Sequence, residues 1–179
     1  MITLLAHVSD VPLATAFGVS GLVAQLAWPL LRTREAMLTI QLGAACSYAA
    51  SYALMDQHTA TAVCLTGALQ TSVALLAGDR PWLARLGYVF LPAVLAIGVA
   101  TYSGLPTILM VTACCLVMIG RMQPDLLRMR GVQLTASPFG AAHDVAVGAW
   151  PCLLGALVSF TIAMTGFRRE LRSRSRQAA

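Results

Sequence analysis

Lysine is absent from this chain of 179 residues, and all twelve basic side chains are arginines. Charge of either sign is scarce: 11% of the residues are charged, 58% are hydrophobic, and the mean hydropathy is +0.76. An average soluble domain has about 25% charged residues. The scarcity of charge therefore excludes an ordinary soluble domain and indicates an integral membrane protein.

The motifs that carry chemistry in many enzymes are also absent. The sequence contains no Walker loop, no G-x-S-x-G, no H-E-x-x-H and no Rossmann fingerprint. The histidines (His7, His58 and His143) lack metal-ligand spacing, and the five cysteines form no C-x-x-C pair. The arginine-rich tail has no interleaved aromatic residues, which a nucleic-acid-binding segment would need. We therefore predict no enzymatic activity, no metal, no cofactor and no nucleic-acid partner.

Seven apolar stretches remain when the chain is divided at its polar breaks. A segment inside lipid must satisfy its own backbone hydrogen bonds, so each stretch is predicted to be a helix. The fold class is thus all-α, a polytopic membrane protein with seven transmembrane helices. The stretches are Val11–Leu31, Met37–Met55, Thr59–Ala77, Trp82–Thr101, Leu105–Gly120, Val132–Gly148 and Trp150–Phe167.

The arginines sort to one side of the membrane when these helices are threaded up and down. Turns on the opposite side hold Asp10, Asp56, Gln57, His58 and Tyr102, with no arginine or lysine. Positively charged loops stay in the cytoplasm during insertion. The N-terminus is therefore predicted outside and the C-terminus in the cytoplasm, in a multi-pass protein of the bacterial inner membrane. The lipid bilayer is the predicted partner, and homo-oligomerisation stays open.

An internal repeat organises the chain into two units of three helices. Three short peptides recur in the same order in both units. A proline precedes each copy of the first peptide: Pro29 in the first unit and Pro124 in the second. We predict a first repeat at 1–81, a linker helix at 82–104, a second repeat at 105–167 and an arginine-rich cytoplasmic tail at 168–179. The matching peptides are Leu30–Arg34 with Leu126–Arg130, Ile40–Leu42 with Val132–Leu134, and Gly67–Leu69 with Gly155–Leu157.

A single helix between two triplets inserts the second triplet in the same orientation as the first, which gives a parallel repeat. This 3-1-3 plan resembles the SWEET and PQ-loop transporters. Their proline–glutamine signature is altered in this chain, where Pro29 is followed by Leu30 and the second copy reads Gln123-Pro124.

The chain also resembles the YgjV-like family of bacterial inner-membrane proteins over nearly its whole length. The similarity lies in Leu30–Arg34, in Gly67–Trp82, and in His143-Asp144 followed by Gly148. That family has His-Asn at the position of His143-Asp144 and tends to have asparagine near Gly67 and Gly155. The resemblance implies the fold and the inner membrane, and it implies no particular activity.

Asp144 is the only acid inside a predicted span. An intramembrane carboxylate costs free energy and usually faces a cavity or a partner, so Asp144 and His143 are candidate ligands for a solute or a proton. The alternative is an aspartate near the outer interface, because Gly148 ends the helix one turn later. His143 and Asp144, as adjacent helix residues, should point about 100° apart. We therefore expect no Ser51/His143/Asp144 triad.

Asp144 lies on a stripe of mostly small residues spaced four apart, Ala136, Gly140, Asp144 and Gly148. The equivalent stripe in the first repeat is Ala44, Tyr48, Tyr52 and Asp56. Either tyrosine could fill the space beside Gly140 and donate a hydrogen bond towards Asp144. Alternatively, both tyrosines anchor the membrane interface. Gln70 is a further candidate for a polar lining, or it bonds a neighbouring helix. Pro29, Pro124 and Pro138 are candidate hinges, although membrane helices also tolerate proline without such a role.

Two functions follow from these features. One is transport of a small polar solute, by alternating access between two triple-helix bundles around Asp144, His143, Tyr48, Tyr52 and Gln70. The other is a non-transporting scaffold or assembly partner that keeps the fold without a working site. We favour transport, with the solute unspecified.

The topology predicts how cysteines placed in the turns react with a membrane-impermeant maleimide. In intact spheroplasts, Gln57→Cys should be labelled, because the turn lies outside. Ser175→Cys should be labelled only after permeabilisation, because the tail lies in the cytoplasm. The unsubstituted chain is the control, since its own cysteines lie in predicted spans. Equal labelling of both variants in intact spheroplasts would show that the topology is wrong.

Overall fold

A computed structural model describes residues 2–78, 80–148 and 150–177, and these are helical throughout apart from short turns. The all-α prediction is confirmed. A 3-10 turn, Trp28–Leu30, separates the first two helices. The described ranges contain eight α-helices: α1 Ile2–Ala27, α2 Arg34–Leu54, α3 His58–Ala77, α4 Pro81–Gly87, α5 Phe90–Ala100, α6 Leu105–Arg121, α7 Leu126–Ala146 and α8 Trp150–Gln177.

The predicted linker helix, Trp82–Thr101, is in fact two helices. It breaks at Tyr88 and Val89, where the backbone forms turn hydrogen bonds to Arg85 and Leu86. Pro92 explains the break. It has no N–H to donate to the carbonyl of Tyr88, and its ring would clash with that carbonyl in a continuous helix.

The helix that carries Asp144 begins at Leu126, six residues before the predicted start at Val132. Asp125 caps it, because its carboxylate accepts a hydrogen bond of 2.8 Å from the backbone N–H of Arg128. The apolar run begins only after the arginines, whereas Arg130 lies inside the helix with its guanidinium hydrogen-bonded. Likewise α8 continues through the arginine-rich tail to Gln177.

The helices pack in two triplets. In the first triplet α2 packs against α1 and α3, and in the second triplet α7 packs against α6 and α8. Between the triplets, α1 packs against α8 and α3 packs against α6, so the first helix of each contacts the third helix of the other. Helices α4 and α5 pack against α3, and α5 also packs against α6.

Two arginines bond across the triplets to the turns where helices break. Arg34 of α2 donates to the carbonyls of Arg121 (3.0 Å) and Gln123 (2.9 Å) at the α6–α7 turn. Arg130 of α7 donates to the carbonyls of Pro29 (3.0 Å) and Leu31 at the α1–α2 turn. Carbonyls at a helix end lack an intrahelical partner. Each arginine therefore satisfies carbonyls that the other triplet leaves open.

A cluster of large apolar side chains lies beside these two turns. It contains Trp28 from the first turn, Met122 from the α6–α7 turn and residues from four helices, and each member is at most 8% exposed. Its other members are Met37, Leu38, Ala74, Met122, Met129, Leu134 and Ala163.

Apolar side chains also cover much of the outer surface. Leu76 and Val99, for example, are 72% and 79% exposed. Two helical segments, Pro12–Leu30 and Ala60–Ala77, are long and apolar enough to cross a membrane by length and composition. Two shorter apolar helical segments are Arg85–Ala100 and Leu105–Arg121.

Replacing Gly120 with alanine should destabilise the contact between α6 and α7. A Cβ there would lie 2.7 Å from Cγ of Gln133 and 3.3 Å from backbone atoms of Gln133 and Met129. Overpacking of this kind costs about 1–3 kcal/mol, so the melting temperature in detergent should fall. Gly43→Ala is the matched control, because its Cβ would meet nothing within 4 Å. Equal melting temperatures for the two variants would contradict the close packing.

The arginine-rich end of α8 should separate from the α6–α7 turn in acid. Arg174 donates to the carboxylate of Asp125 at 2.6 Å, and this bond and the one from Arg128 lower the pKa of Asp125 from 3.8. A carboxyl group with a lowered pKa stabilises the fold above its unfolded-state pKa, and this contribution is lost as the pH falls through the folded-state pKa. The melting temperature should therefore fall below about pH 4.

Asp125→Asn separates charge from capping in this experiment, because asparagine caps a helix as well as aspartate does. The variant should show a smaller fall in melting temperature across the same pH range. An unchanged acid response would show that Asp125 is not the group responsible.

Candidate functional site

A cavity of about 280 Å³ lies between the two triplets. Side chains of α1, α2, α6, α7 and α8 line it, together with Trp28 of the 3-10 turn. Much of the lining is apolar, as in most ligand pockets. The polar and charged side chains of the lining include Gln41, Tyr48, Arg121, Gln133, Asp144 and Ser159.

Two glutamines meet at one end of the cavity. Nε2 of Gln41 donates to Oε1 of Gln133 at 3.2 Å, and Nε2 of Gln133 donates to Oε1 of Gln41 at 3.4 Å. Each glutamine is only 4% exposed. Arg121 extends the network, because its Nε also donates to Oε1 of Gln41, at 3.0 Å. Both glutamines belong to the repeated peptides, and they bond to each other.

Of the predicted site residues, Tyr48 and Asp144 line this cavity. Tyr52 does not line it but stacks on Tyr48, with ring centroids 6.3 Å apart. Tyr48 does not fill the space beside Gly140, since a Cβ on Gly140 would meet nothing within 4 Å. Its ring lies instead against Gly21 of α1, where a Cβ would be 3.0 Å away. The expectation that a tyrosine packs against Gly140 was therefore wrong.

His143 contacts Asp144 directly, although it does not line the cavity. Its Nδ1 lies 3.3 Å from Oδ1 of Asp144, so the expectation that the two side chains diverge was wrong. His143 therefore adjoins Asp144 at one end of the cavity. Ser51, the third member of the triad considered above, donates to the carbonyl of Ala14 at 2.7 Å.

Gln70 lies away from the cavity lining. It is fully buried, and its Nε2 donates to the carbonyl of Met118 on α6 at 3.0 Å. Its Oε1 is buried without a hydrogen-bond partner. In this structure the amide joins α3 to α6, which is the alternative role given to it above.

The three candidate hinges lie in different settings. Pro29 is buried in the 3-10 turn between α1 and α2, and Pro124 lies in the turn between α6 and α7. Pro138 lies inside α7, which continues through it to Ala146. The first two occupy the turns to which Arg130 and Arg34 donate, so any hinge there would also change those hydrogen bonds.

Among the described residues, no group of three or more His, Cys, Asp or Glu side chains could hold a metal ion. Four of the cysteines, Cys46, Cys64, Cys114 and Cys115, are free thiols. The side chain of Cys152 lies outside the described part of the chain.

Three residues that line the cavity were not predicted as site residues: Gln41, Gln133 and Arg121. Gln41 and Gln133 recur at matching positions of the repeat, and two repeats around one axis bring matching residues together. That signal could have identified the glutamines. Arg121 was counted only as a charge of the cytoplasmic side, because it follows the last apolar residue of its stretch. Nothing in the sequence indicates that its guanidinium points into the protein.

Comparison with known proteins gives one match. Neither the curated proteins nor the solved structures contain a match to this chain. The resemblance to the SWEET and PQ-loop plan therefore stays a prediction. The family model described as a bacterial inner membrane protein, Imp-YgjV, matches residues 12–174. This match confirms the predicted family and its location, and the chain belongs to the Imp-YgjV family of bacterial inner membrane proteins.

Proposed function

We propose that this inner membrane protein transports a small polar solute by alternating access between the two triplets. The observation that carries the proposal is the cavity of about 280 Å³, which both triplets line with polar side chains. Gln41 and Tyr48 come from the first triplet, and Arg121, Gln133 and Asp144 come from the second. Binding sites between structural repeats are typical of secondary transporters.

Two sets of contacts support a parallel repeat. Gln41 and Gln133 are matched by the repeated peptides and bond to each other. Arg34 and Arg130, also matched, each donate to the turn between the first two helices of the opposite triplet. Such reciprocal contacts are what a twofold axis along the membrane normal produces. The 3-1-3 plan then has α4 and α5 together as its linker.

The two ends of the cavity differ in how firmly they are closed. At the arginine-rich end, which we predict to face the cytoplasm, the amide pair and the bonds of Arg34 and Arg130 join the triplets. At the other end Gly140 faces open space beside Asp144. We infer that this conformation opens outward. A neutral hydrogen bond contributes only about 0.5–1.5 kcal/mol net, so the amide pair can separate during a transport cycle.

Cysteine accessibility at Gly140 tests alternating access. In a chain whose native cysteines are replaced by serine or alanine, Gly140→Cys should react with a small charged thiosulfonate added from either side of the membrane. The reason is that the cavity it lines opens to each side in turn. The measurement is the rate of modification in vesicles of known orientation.

Gly43→Cys is the control. This exposed α2 position lies in a predicted span and does not line the cavity, so it should face lipid, where a charged reagent does not react from either side. Modification of Gly140→Cys from one side only would contradict alternating access. No modification from either side would favour the scaffold.

A further inference from the structure

The guanidinium of Arg121 has no charged partner. Its Nε donates to the amide oxygen of Gln41 at 3.0 Å, and its Nη1 donates to the carbonyl of Gly67 at 3.4 Å. Both acceptors are neutral. In the described parts of the chain no carboxylate lies within 4 Å of Arg121. The ion pairs that arginines form there are Arg174–Asp125 and Arg174–Glu170.

One nitrogen of the Arg121 guanidinium is left without an acceptor among the described residues. An arginine side chain has five N–H groups and stays protonated in proteins. Its Nη2 makes no hydrogen bond to any described residue, and the side chain lines the cavity. A charge in a low-dielectric interior costs free energy unless an opposite charge or hydrogen bonds compensate it. A ligand that carries a negative charge could reach Arg121 through the cavity and compensate its charge.

Further N–H donors lie at the same end of the cavity. The reciprocal bonds between Gln41 and Gln133 use one amide hydrogen of each residue, and each amide carries two. Together with Nη2 of Arg121 they form a group of donors with a positive charge beside it. A guanidinium flanked by N–H donors recognises carboxylates through charge-assisted hydrogen bonds.

The acid of the cavity is too far away to neutralise Arg121. Asp144 lies about three turns beyond Gln133 on the same helix, or roughly 16 Å along its axis. Its carboxylate is also in contact with His143. The cavity is therefore positive at the Arg121 end and acidic at the other.

We propose that the cavity binds a small organic anion whose carboxylate is held by Arg121 together with Gln41 and Gln133. This inference rests on the proposed function in that the anion would be the transported solute. The volume of about 280 Å³ is near the lower limit of ligand pockets, roughly 300–1,000 Å³. The cavity thus suits a carboxylate of a few carbon atoms and not a large conjugate.

Thermal stabilisation of the purified full-length protein in detergent tests the proposal. The probes are sodium acetate, lactate and succinate, with acetamide as the neutral analogue of acetate and with ionic strength held constant by sodium chloride. At least one carboxylate should raise the melting temperature saturably, because it binds only the folded state. Acetamide should leave the melting temperature unchanged.

Arg121→Gln should weaken the apparent affinity by at least about ten-fold, which corresponds to the loss of one charge-assisted hydrogen bond. Arg128→Gln is the matched control. Arg128 is an exposed arginine that does not line the cavity, so its loss should leave the carboxylate response intact.

Gln41→Glu keeps the test decisive if Arg121→Gln fails to fold. It places a carboxylate where the amide oxygen now accepts from Arg121, so the protein would carry its own counter-charge. The melting temperature without ligand should rise, and the response to carboxylates should disappear. A lower melting temperature with an intact carboxylate response would overturn the proposal.

Other outcomes count equally against it: no shift with any carboxylate, equal shifts with acetamide or chloride, or an unchanged response in a folded Arg121→Gln variant. The two proposals can fail separately. Modification of Gly140→Cys from both sides without a carboxylate response would overturn the anion and leave transport standing. A carboxylate response with one-sided modification would leave the anion site standing and overturn transport.

Discussion

The fold depends on donors for the backbone carbonyls that are freed where α1 meets α2 and where α6 meets α7. Pro29, whose carbonyl accepts from Arg130, is buried, and a carbonyl that is buried without a donor costs about 1–3 kcal/mol. Arg34 and Arg130 supply these donors, and each reaches into the triplet to which it does not belong. Closing the breaks in one triplet therefore holds the other triplet in place. The buried cluster around Met37 and Met129 packs beside the same turns.

This constraint gives a structural reason for the absence of lysine at these positions. A guanidinium presents several N–H groups in a planar fork and can serve two or three carbonyls at once, as Arg34 does with Ala74, Arg121 and Gln123. An ammonium is a compact, strongly hydrated charge and would lose more on burial. Arg34 and Arg130, which the sequence predicts to act as insertion signals, thus also complete the backbone bonding of the bundle.

The helices could be predicted well from the apolar runs, because a lipid environment selects for length and hydropathy. Predicted helix bounds were wrong where an apolar run was ended at a charged residue or was continued through a proline. Arg130 lies inside α7 because its charge is bonded within the protein, and Pro92 divides the linker because it cannot serve the carbonyl of Tyr88. In the cavity, Asp144 was conspicuous as a lone acid in an apolar span. Arg121 was not, because the direction of a side chain at a helix end depends on packing between distant helices.

The pairing of Gln41 with Gln133 also bears on how such a chain could have arisen. An amide is self-complementary, so two copies of one glutamine can bond to each other across a dyad without any second residue type. If the proposed parallel repeat is correct, a half-length ancestor with a single glutamine at this position would have formed a closed homodimer. Gene duplication and fusion through an added helix would then preserve the contact, while leaving the two halves free to diverge around it.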